Sequence, residues 1–179
     1  LQNDFRDLPL LQNRLRCDAP KMGCDDDETD AAATALLDAF ADALEPLRNA
    51  QGGCFRAGTG TAMYYLWFGR AVPATPDGRN AGDPLPANDS PSLFARVKGP
   101  VSVIKSFTKQ HLVRVANGGP LTLELHNSVF RSADSIEKVA ALVRLFILRG
   151  GHQLQLNAVN RDDLLAAQKS PDAYRNLIV

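Results

Sequence analysis

Residues 121–158, LTLELHNSVFRSADSIEKVAALVRLFILRGGHQLQLNA, carry the clearest indications of secondary structure in the chain. Leu alternates with Thr, Glu and His over 121–126, and Gln or Asn alternates with Leu or Ala over 153–158. Alternation with a period of two predicts a β-strand in each segment. The apolar residues from Ile136 to Ile147 recur at helical spacing and end before Gly150-Gly151, which predicts a helix and its stop. The order of strand, helix and strand predicts an α/β architecture.

The start of that helix and one further helix can also be placed. Asp134 is followed three residues later by Glu137, which predicts a capping box at the start of the helix. A last helix is predicted over 161–168.

Each predicted strand keeps one polar side, which parallel strands covered by helices usually lack. One interpretation is a sheet at the surface with a solvated side. The other is a barrel whose polar lumen encloses something besides packed side chains. The alternation alone favours the solvated sheet.

An acidic run, Asp25–Glu28, precedes a helical pattern that begins near Thr29. Asp26 or Asp27 is the predicted N-cap, and the run lies where the helix dipole favours negative charge. A site for a hard cation is the alternative. Capping is preferred, because a cation site needs ligands that converge from several elements.

The middle of the chain begins with TAMYYLWF, residues 61–68, whose aromatic residues predict a strand. Gly, Pro, Asn and Asp are frequent over 69–100, which predicts a long loop. Loops of this length in compact domains usually have a function or wrap another element. Residues 101–107 fit a helix or a strand.

Composition excludes several classes of protein. Lys+Arg and Asp+Glu both number 20, so no nucleic-acid partner is expected, because such proteins usually carry a basic surface. No apolar run approaches the roughly 20 residues that span a bilayer, so no membrane association is expected. Cys17, Cys24 and Cys54 lack the spacing of metal ligands and are predicted to be free thiols in a reducing compartment, with no metal bound.

Four segments together resemble the glycyl radical enzymes of the pyruvate formate-lyase-like superfamily. Residues 21–27, KMGCDDD, are similar to K-x-G-N-D-D, and residues 74–82, ATPDGRNAG, to A-T-P-D-G-R-x-A-G. Residues 150–157, GGHQLQLN, are similar to G-G-x-x-x-Q-x-N. Residues 167–179 are similar to the run that leads in the family into R-V-x-G, which holds the radical glycine. The order and spacing of the four segments make the resemblance specific.

The resemblance implies a fold, that of the ten-stranded α/β barrel. Residues 1–179 would form an incomplete part of this barrel, with the catalytic cysteine loop upstream and the glycyl radical domain downstream both missing. Both ends of the chain are expected to be cut. None of the three cysteines stands in the family's G-C-x-E motif, so we expect no catalytic residue in this chain and no activity of the fragment itself.

The resemblance also implies a chemistry for the parent enzyme. It would cleave C–C or C–X bonds anaerobically, as a lyase, decarboxylase, dehydratase or formate acetyltransferase, and the aromatic segment 61–68 favours an arylacetate-type decarboxylase. An activating enzyme with an iron–sulfur cluster and S-adenosylmethionine would install the glycyl radical. The parent is expected to be a cytoplasmic homodimer that acts on a small molecule. The alternative is a non-catalytic binding or structural domain on the same scaffold, which would fold cooperatively by itself.

The polar strand sides and the aromatic segment supply the candidates for residues that line the substrate cavity. Ordinary core packing is the alternative for each residue of the segment 61–68. Glu124 and His126 could form an acid–base pair or hydrogen-bond to loops in the lumen. The candidates are Thr61, Met63, Tyr65, Thr122, Glu124, His126, Gln153, Gln155 and Asn157.

Overall fold

The computed structural model describes residues 4–177, which form six α-helices and two β-strands in these residues. The predicted run into the radical loop therefore lies partly outside the described residues. The helices are α1 (Pro9–Cys17), α2 (Asp27–Leu44), α3 (Tyr64–Ala71), α4 (Pro100–Lys109), α5 (Ala133–Leu148) and α6 (Arg161–Lys169). The strands are β1 (Pro120–Leu125) and β2 (Gln153–Ala158). Short 3-10 turns cover Leu112–Arg114, Asn127–Phe130 and Pro171–Leu177.

The strand–helix–strand prediction for 121–158 is confirmed. β1 and β2 pair in parallel, with Leu121 opposite Leu154 and Leu123 opposite Leu156, and α5 forms the crossover between them. A parallel pair requires such a crossover connection, because a tight turn cannot return the chain to the same end of the sheet. The last predicted helix is confirmed as α6.

The cap of α5 differs from the prediction. Ser132, rather than Asp134, is the N-cap, and its Oγ accepts a hydrogen bond of 3.2 Å from the backbone N–H of Ser135. Asp134 lies in the first turn and forms an ion pair of 2.6 Å with Lys138. A hydroxyl placed before the helix reaches the free N–H groups, so the earlier residue takes this position.

The predicted strand over 61–68 is wrong. Tyr64–Ala71 is the helix α3, and Trp67 and Phe68 are largely exposed on it. Aromatic residues favour strands only where neighbouring strands cover them, and no strand pairs with this segment in the described part of the chain. The open choice for residues 101–107 is decided in favour of the helix α4, while the long loop remains irregular from residue 72 to 99.

The core lies between α4, α5 and the apolar side of the sheet. Ile104 and Phe107 of α4 and Leu121 of β1 are fully buried. Phe107 stacks on Phe146 of α5 with 5.9 Å between the ring centroids. Gly151 follows α5 and lies against the same ring, since a Cβ at this position would come within 2.4 Å of Phe146. The core therefore fixes the direction of the strands and the start of β2.

The acidic run caps α2 and also anchors it to α4. Asp26 is the N-cap, and its Oδ1 accepts a hydrogen bond of 2.9 Å from the N–H of Thr29. The ammonium of Lys109 lies within 2.9 Å of Asp25, 2.7 Å of Asp27 and 2.8 Å of Asp30. The carboxylates therefore bind the ammonium of Lys109. The acidic run forms ion pairs within the chain in place of a site for a hard cation.

The electrostatics of this cluster follow from its geometry. Hydrogen bonds from Lys105 and Lys109 lower the pKa of Asp25 to about 2. Hydrogen bonds to Asp27 and Asp30 raise the pKa of Lys109 above its ordinary value. Asp25 and Lys109 are therefore both charged at neutral pH, and the cluster joins the start of α2 to the end of α4.

Candidate functional site

A groove of about 600 Å³ lies between the end of β1, the start of α4 and the long loop. Tyr65 on α3 and Thr122 and Glu124 on β1 line it, together with the proline-rich segment Pro84–Pro86. Its volume falls in the roughly 300–1,000 Å³ range that small-molecule pockets occupy. Three of the predicted candidates, Tyr65, Thr122 and Glu124, thus border one space.

Asn88 ties the long loop to β1 and to the segment before α3. Its Nδ2 donates a hydrogen bond of 2.9 Å to Thr122 Oγ1, and its Oδ1 accepts one of 2.9 Å from the Thr61 N–H. The Asn88 N–H donates to Thr61 Oγ1 at 2.8 Å. Asn88 has a φ of 56°, a left-handed conformation that asparagine tolerates better than most residues. Thr61 therefore does not line the groove. It holds Asn88, a residue of the long loop, through two hydrogen bonds.

The loop also covers the first half of the outer edge of β1. Ser90 Oγ lies 3.3 Å from both the backbone N and the O of Thr122, and the Asp89 N–H donates to the Pro120 carbonyl at 3.3 Å. An exposed strand edge otherwise presents unpaired N–H and C=O groups. Glu124 and Leu125 lie beyond this cover, where the edge opens into the groove.

The A-T-P-D-G-R segment holds the loop in shape through one buried arginine. Arg79 is 2% exposed, and its guanidinium donates to the carbonyl oxygens of Gly69, Val72, Pro73 and Asp83 at 2.5–3.3 Å. Its Nε donates to Thr75 Oγ1 at 3.3 Å. Five N–H donors in a fixed plane suit this task, because they reach acceptors on several sides of the guanidinium at once.

Asp77 in the same segment joins the turn to the next part of the loop. Its Oδ1 accepts from Thr75 Oγ1 and its Oδ2 from Ser92 Oγ, both at 2.5 Å. Burial acts to raise the pKa of Asp77, but the hydrogen bonds from Ser92 and Thr75 outweigh it and the pKa falls below its ordinary value. Gly78 has a φ of 90° and a Cβ there would meet Arg16 Cγ at 2.5 Å, so the turn requires glycine.

The polar sides of β1 and β2 form one continuous surface. Thr122 lies opposite Gln155 and Glu124 opposite Asn157 in the register of the pair. Gln155 Nε2 donates a hydrogen bond of 3.1 Å to Asn157 Oδ1, and Gln153 lies opposite Pro120. Gln153, Gln155 and Glu124 are exposed in this chain, and Asn157 is half-buried.

Six of the nine predicted candidates do not line the groove: Thr61, Met63, His126, Gln153, Gln155 and Asn157. Met63 precedes α3, is 57% exposed and does not contribute to the lining of the groove. His126 follows the end of β1, and its Nδ1 lies 3.0 Å from Ser128 Oγ in the next turn. No hydrogen bond joins Glu124 to His126 among residues 4–177, because the strand ends at Leu125 and the chain turns there.

Asp89 is a residue that the sequence did not indicate, because it lies within the long loop without a motif of its own. Its Oδ2 accepts a hydrogen bond of 2.9 Å from Gln110 Nε2. Burial raises the pKa of Asp89 to about 6, although the hydrogen bond from Gln110 opposes this change. The carboxyl group thus titrates closer to neutral pH than an ordinary aspartate.

The raised pKa of Asp89 predicts a pH dependence of stability. The folded chain binds this proton more tightly than the unfolded chain, so the free energy of unfolding falls as the pH rises from about 4 to about 6. The loss is at most about 3 kcal/mol for a shift of about two pKa units. The Asp89→Asn variant should lack this loss. Urea unfolding of wild type and Asp89→Asn at pH 4.5 and 7.5 measures this loss. Asp18→Asn, at an exposed position, is the control. An equal pH dependence of stability in wild type and Asp89→Asn would contradict the expectation.

Cys17, Cys24 and Cys54 are free thiols. Within residues 4–177, no three His, Cys, Asp or Glu side chains are grouped so that they could hold a metal ion. No helix in the same range has the length and apolar composition to cross a membrane.

Comparison with known proteins places this geometry in a family. The family model described as "Glycine radical" matches residues 87–179. The chain is 34% identical over 188 residues to a probable dehydratase, YbiW, of Escherichia coli, covering 100% of this chain and 23% of that protein.

Solved structures agree with the match. A B12-independent glycerol dehydratase from Clostridium butyricum, with glycerol bound, superposes with a TM-score of 0.89 at 32% identity, over 96% of this chain and 22% of that one. The hydroxyproline dehydratase of Clostridioides difficile, with its substrate trans-4-hydroxy-L-proline bound, superposes with a TM-score of 0.91 at 29% identity, over 98% of this chain and 22% of that one. The chain spans less than a quarter of the length of these relatives, whose fold is the glycyl radical enzyme barrel. The family match and the shared α/β fold show that this chain belongs to the glycyl radical enzymes.

Proposed function

We propose that residues 1–179 form part of the barrel of a larger glycyl radical enzyme and build one wall of its substrate cavity. The observation that carries this proposal is the two-sided pair of β1 and β2. Leu121 and Leu123 bury one side in the core, while Thr122 and Glu124 continue into Gln155 and Asn157 on the other. Polar side chains held in register by a rigid sheet suit the lining of a cavity for a polar ligand.

The exposed apolar surface of the chain supports the same proposal. Leu36 on α2, Trp67 on α3 and Leu148 on α5 are each at least 66% exposed. Extended exposed apolar surface usually marks a region that other protein covers. The remaining strands and helices of the barrel would cover it. This surface disfavours the alternative of a non-catalytic domain that folds by itself, because such a domain would have buried these side chains.

For the reaction, we infer elimination from a small hydroxylated substrate, as in a dehydratase. The relatives that match the chain over nearly its whole length include proteins named for the dehydration of glycerol and hydroxyproline. The amides of Gln155 and Asn157 can both donate to and accept from hydroxyl groups. The aromatic segment 61–68 no longer favours an arylacetate-type decarboxylase. It is not a strand along the cavity, because it contains the start of the exposed helix α3.

The chain would contribute scaffold and substrate contacts, and the radical chemistry would belong to other parts of the enzyme. Cys54 is exposed and forms an isolated bridge with Arg48, Cys17 is the last residue of α1, and Cys24 lies in the connection between α1 and α2. None of the three lies along the groove. A cytoplasmic homodimer, activated by an enzyme with S-adenosylmethionine and an iron–sulfur cluster, completes the proposal. In that enzyme the glycyl radical would supply the hydrogen abstraction, which needs a site shielded from water and oxygen.

Replacing Gln155 by Leu tests the proposed cavity wall. The variant keeps the size of the side chain but removes an amide from the polar side of β2, so kcat/KM of the longest natural protein that contains this chain should fall about tenfold. Steady-state kinetics with glycerol, 1,2-propanediol and trans-4-hydroxy-L-proline measure the effect. Gln51→Leu, in an exposed turn, is the matched control and should leave kcat/KM unchanged. Unchanged kinetics in Gln155→Leu, with an unchanged content of radical, would remove β2 from the cavity wall.

A further inference from the structure

A second pocket of about 240 Å³ lies on the other side of the loop from the groove. The segment 93–98 forms a wall of both: Leu93, Ala95 and Val97 line the groove, whereas the alternate residues line the pocket. The pocket is smaller than the roughly 300–1,000 Å³ that drug-sized ligands occupy, so its ligand would be small. Four of its lining residues are basic: Arg16, Lys21, Arg96 and Lys98.

Two of the four cations are held in place by contacts within the chain. Arg16 Nε donates a hydrogen bond of 2.9 Å to the Gly78 carbonyl, and its guanidinium lies 4.4 Å from the centre of the Phe94 ring. Lys21 Nζ donates to the carbonyl oxygens of Leu15 and Ala19 at 2.5 and 2.8 Å. Fixed donors bind a ligand at a lower cost in conformational entropy than mobile ones. Within residues 4–177, no hydrogen bond occupies the two terminal nitrogens of the Arg16 guanidinium.

The other two cations lie at the rim. Arg96 and Lys98 are exposed, and neither side chain has a hydrogen bond or an ion pair in the part of the chain that the structure describes. Two acidic residues also line the pocket, Asp18 and Asp26. The Oδ1 of Asp26 is engaged by the N–H and the hydroxyl of Thr29 as the cap of α2. Four cations against two carboxylates leave a net charge of two positive units on the lining.

We propose that this pocket binds a small dianionic oxyanion, of the phosphate or phosphomonoester class. A planar guanidinium offers two parallel donors to such a group, and ammonium groups add charge-assisted hydrogen bonds. The ligand would bridge the end of α1, which carries Arg16, and the segment 93–98. Because that segment is also a wall of the groove, an anion here would fix the shape of the proposed substrate cavity at a distance from the substrate itself.

Phosphate titration tests the pocket. Isothermal titration calorimetry with inorganic phosphate, and then with glycerol phosphate, is carried out on the longest natural protein that contains residues 1–179. Wild type should bind with a dissociation constant of about 1 mM or below. The double variant R96Q/K98Q should bind at least about tenfold more weakly, because two charge-assisted contacts are lost. These residues have no side-chain partners in the described chain, and circular dichroism of both proteins checks that the variant folds as wild type does.

Variants remote from the pocket separate this site from general attraction by charge. R70Q/R131Q removes the same number of charges from exposed positions outside the pocket and should bind phosphate within about twofold of wild type. The proposal would be overturned if chloride displaced phosphate at a similar concentration. It would also be overturned if R96Q/K98Q and R70Q/R131Q weakened phosphate binding to the same extent. So would the absence of phosphate binding to wild type. Phosphate should also slow the alkylation of Cys17 and Cys24, which line the pocket, but not that of Cys54.

Discussion

Replacement of Arg79 by Met should lower the free energy of unfolding by about 4 kcal/mol, because it breaks a buried hydrogen-bond network. The methionine fills part of the volume but leaves the carbonyl oxygens of Gly69, Val72, Pro73 and Asp83 without their donor. Each buried acceptor left unsatisfied costs about 1–3 kcal/mol, moderated where water can enter. Urea unfolding of the longest natural protein that contains residues 1–179, followed by circular dichroism, measures the change.

The neighbouring Arg70 provides the matched control for this prediction. It lies exposed in the last turn of α3, so Arg70→Met should change the free energy of unfolding by less than about 0.5 kcal/mol. Arg79→Lys should recover only a small part of the loss, because an ammonium cannot reach four carbonyl groups in one plane. Equal losses in Arg70→Met and Arg79→Met would show that the buried guanidinium does not organise the loop.

Replacement of Lys109 by Met should destabilise the chain by about 3–5 kcal/mol, the cost of leaving a buried charge without its partner. Asp30 is 1% exposed and its Oδ2 binds Lys109 at 2.8 Å, while its Oδ1 has no partner in the described part of the chain. Loss of the ammonium leaves this carboxylate buried beside two other acidic residues. Thermal and urea unfolding measure the effect.

Lys105 on the same helix separates the buried pair from general effects of charge. It is 43% exposed and pairs only with Asp25 among the described residues, so Lys105→Met should cost no more than about 1 kcal/mol. The double variant Lys109→Met/Asp30→Leu should recover most of the stability, since an apolar pair of similar volume replaces a buried ion pair at little cost. A double variant as unstable as Lys109→Met alone would contradict the role given to Asp30.

The helical faces show where periodicity failed to predict burial. On α5, Leu142 and Phe146 are buried, but Ile136 and Ile147, which the same spacing assigned to one face, are at least 50% exposed. On α2, Leu37 and Ala41 are buried, because the ion pair of Asp30 with Lys109 turns this side towards α4. The spacing of apolar residues predicts that a segment is helical. Which of these residues are buried depends on the elements that pack against the helix.

The sequence by itself determined the strand–helix–strand unit, because the alternation of residues 121–126 and 153–158 and the glycines after α5 are local signals. It also limited the cap of α2 to Asp26 or Asp27, of which the structure shows Asp26, and it carried the resemblance to the glycyl radical enzymes. Only the tertiary structure decided that residues 64–71 are helical, that Tyr65, Thr122 and Glu124 border one groove, and that Asp89 titrates near pH 6. The burial of a side chain and the meeting of side chains at one groove depend on contacts between residues that are distant in the chain. The local pattern of a sequence does not specify these contacts.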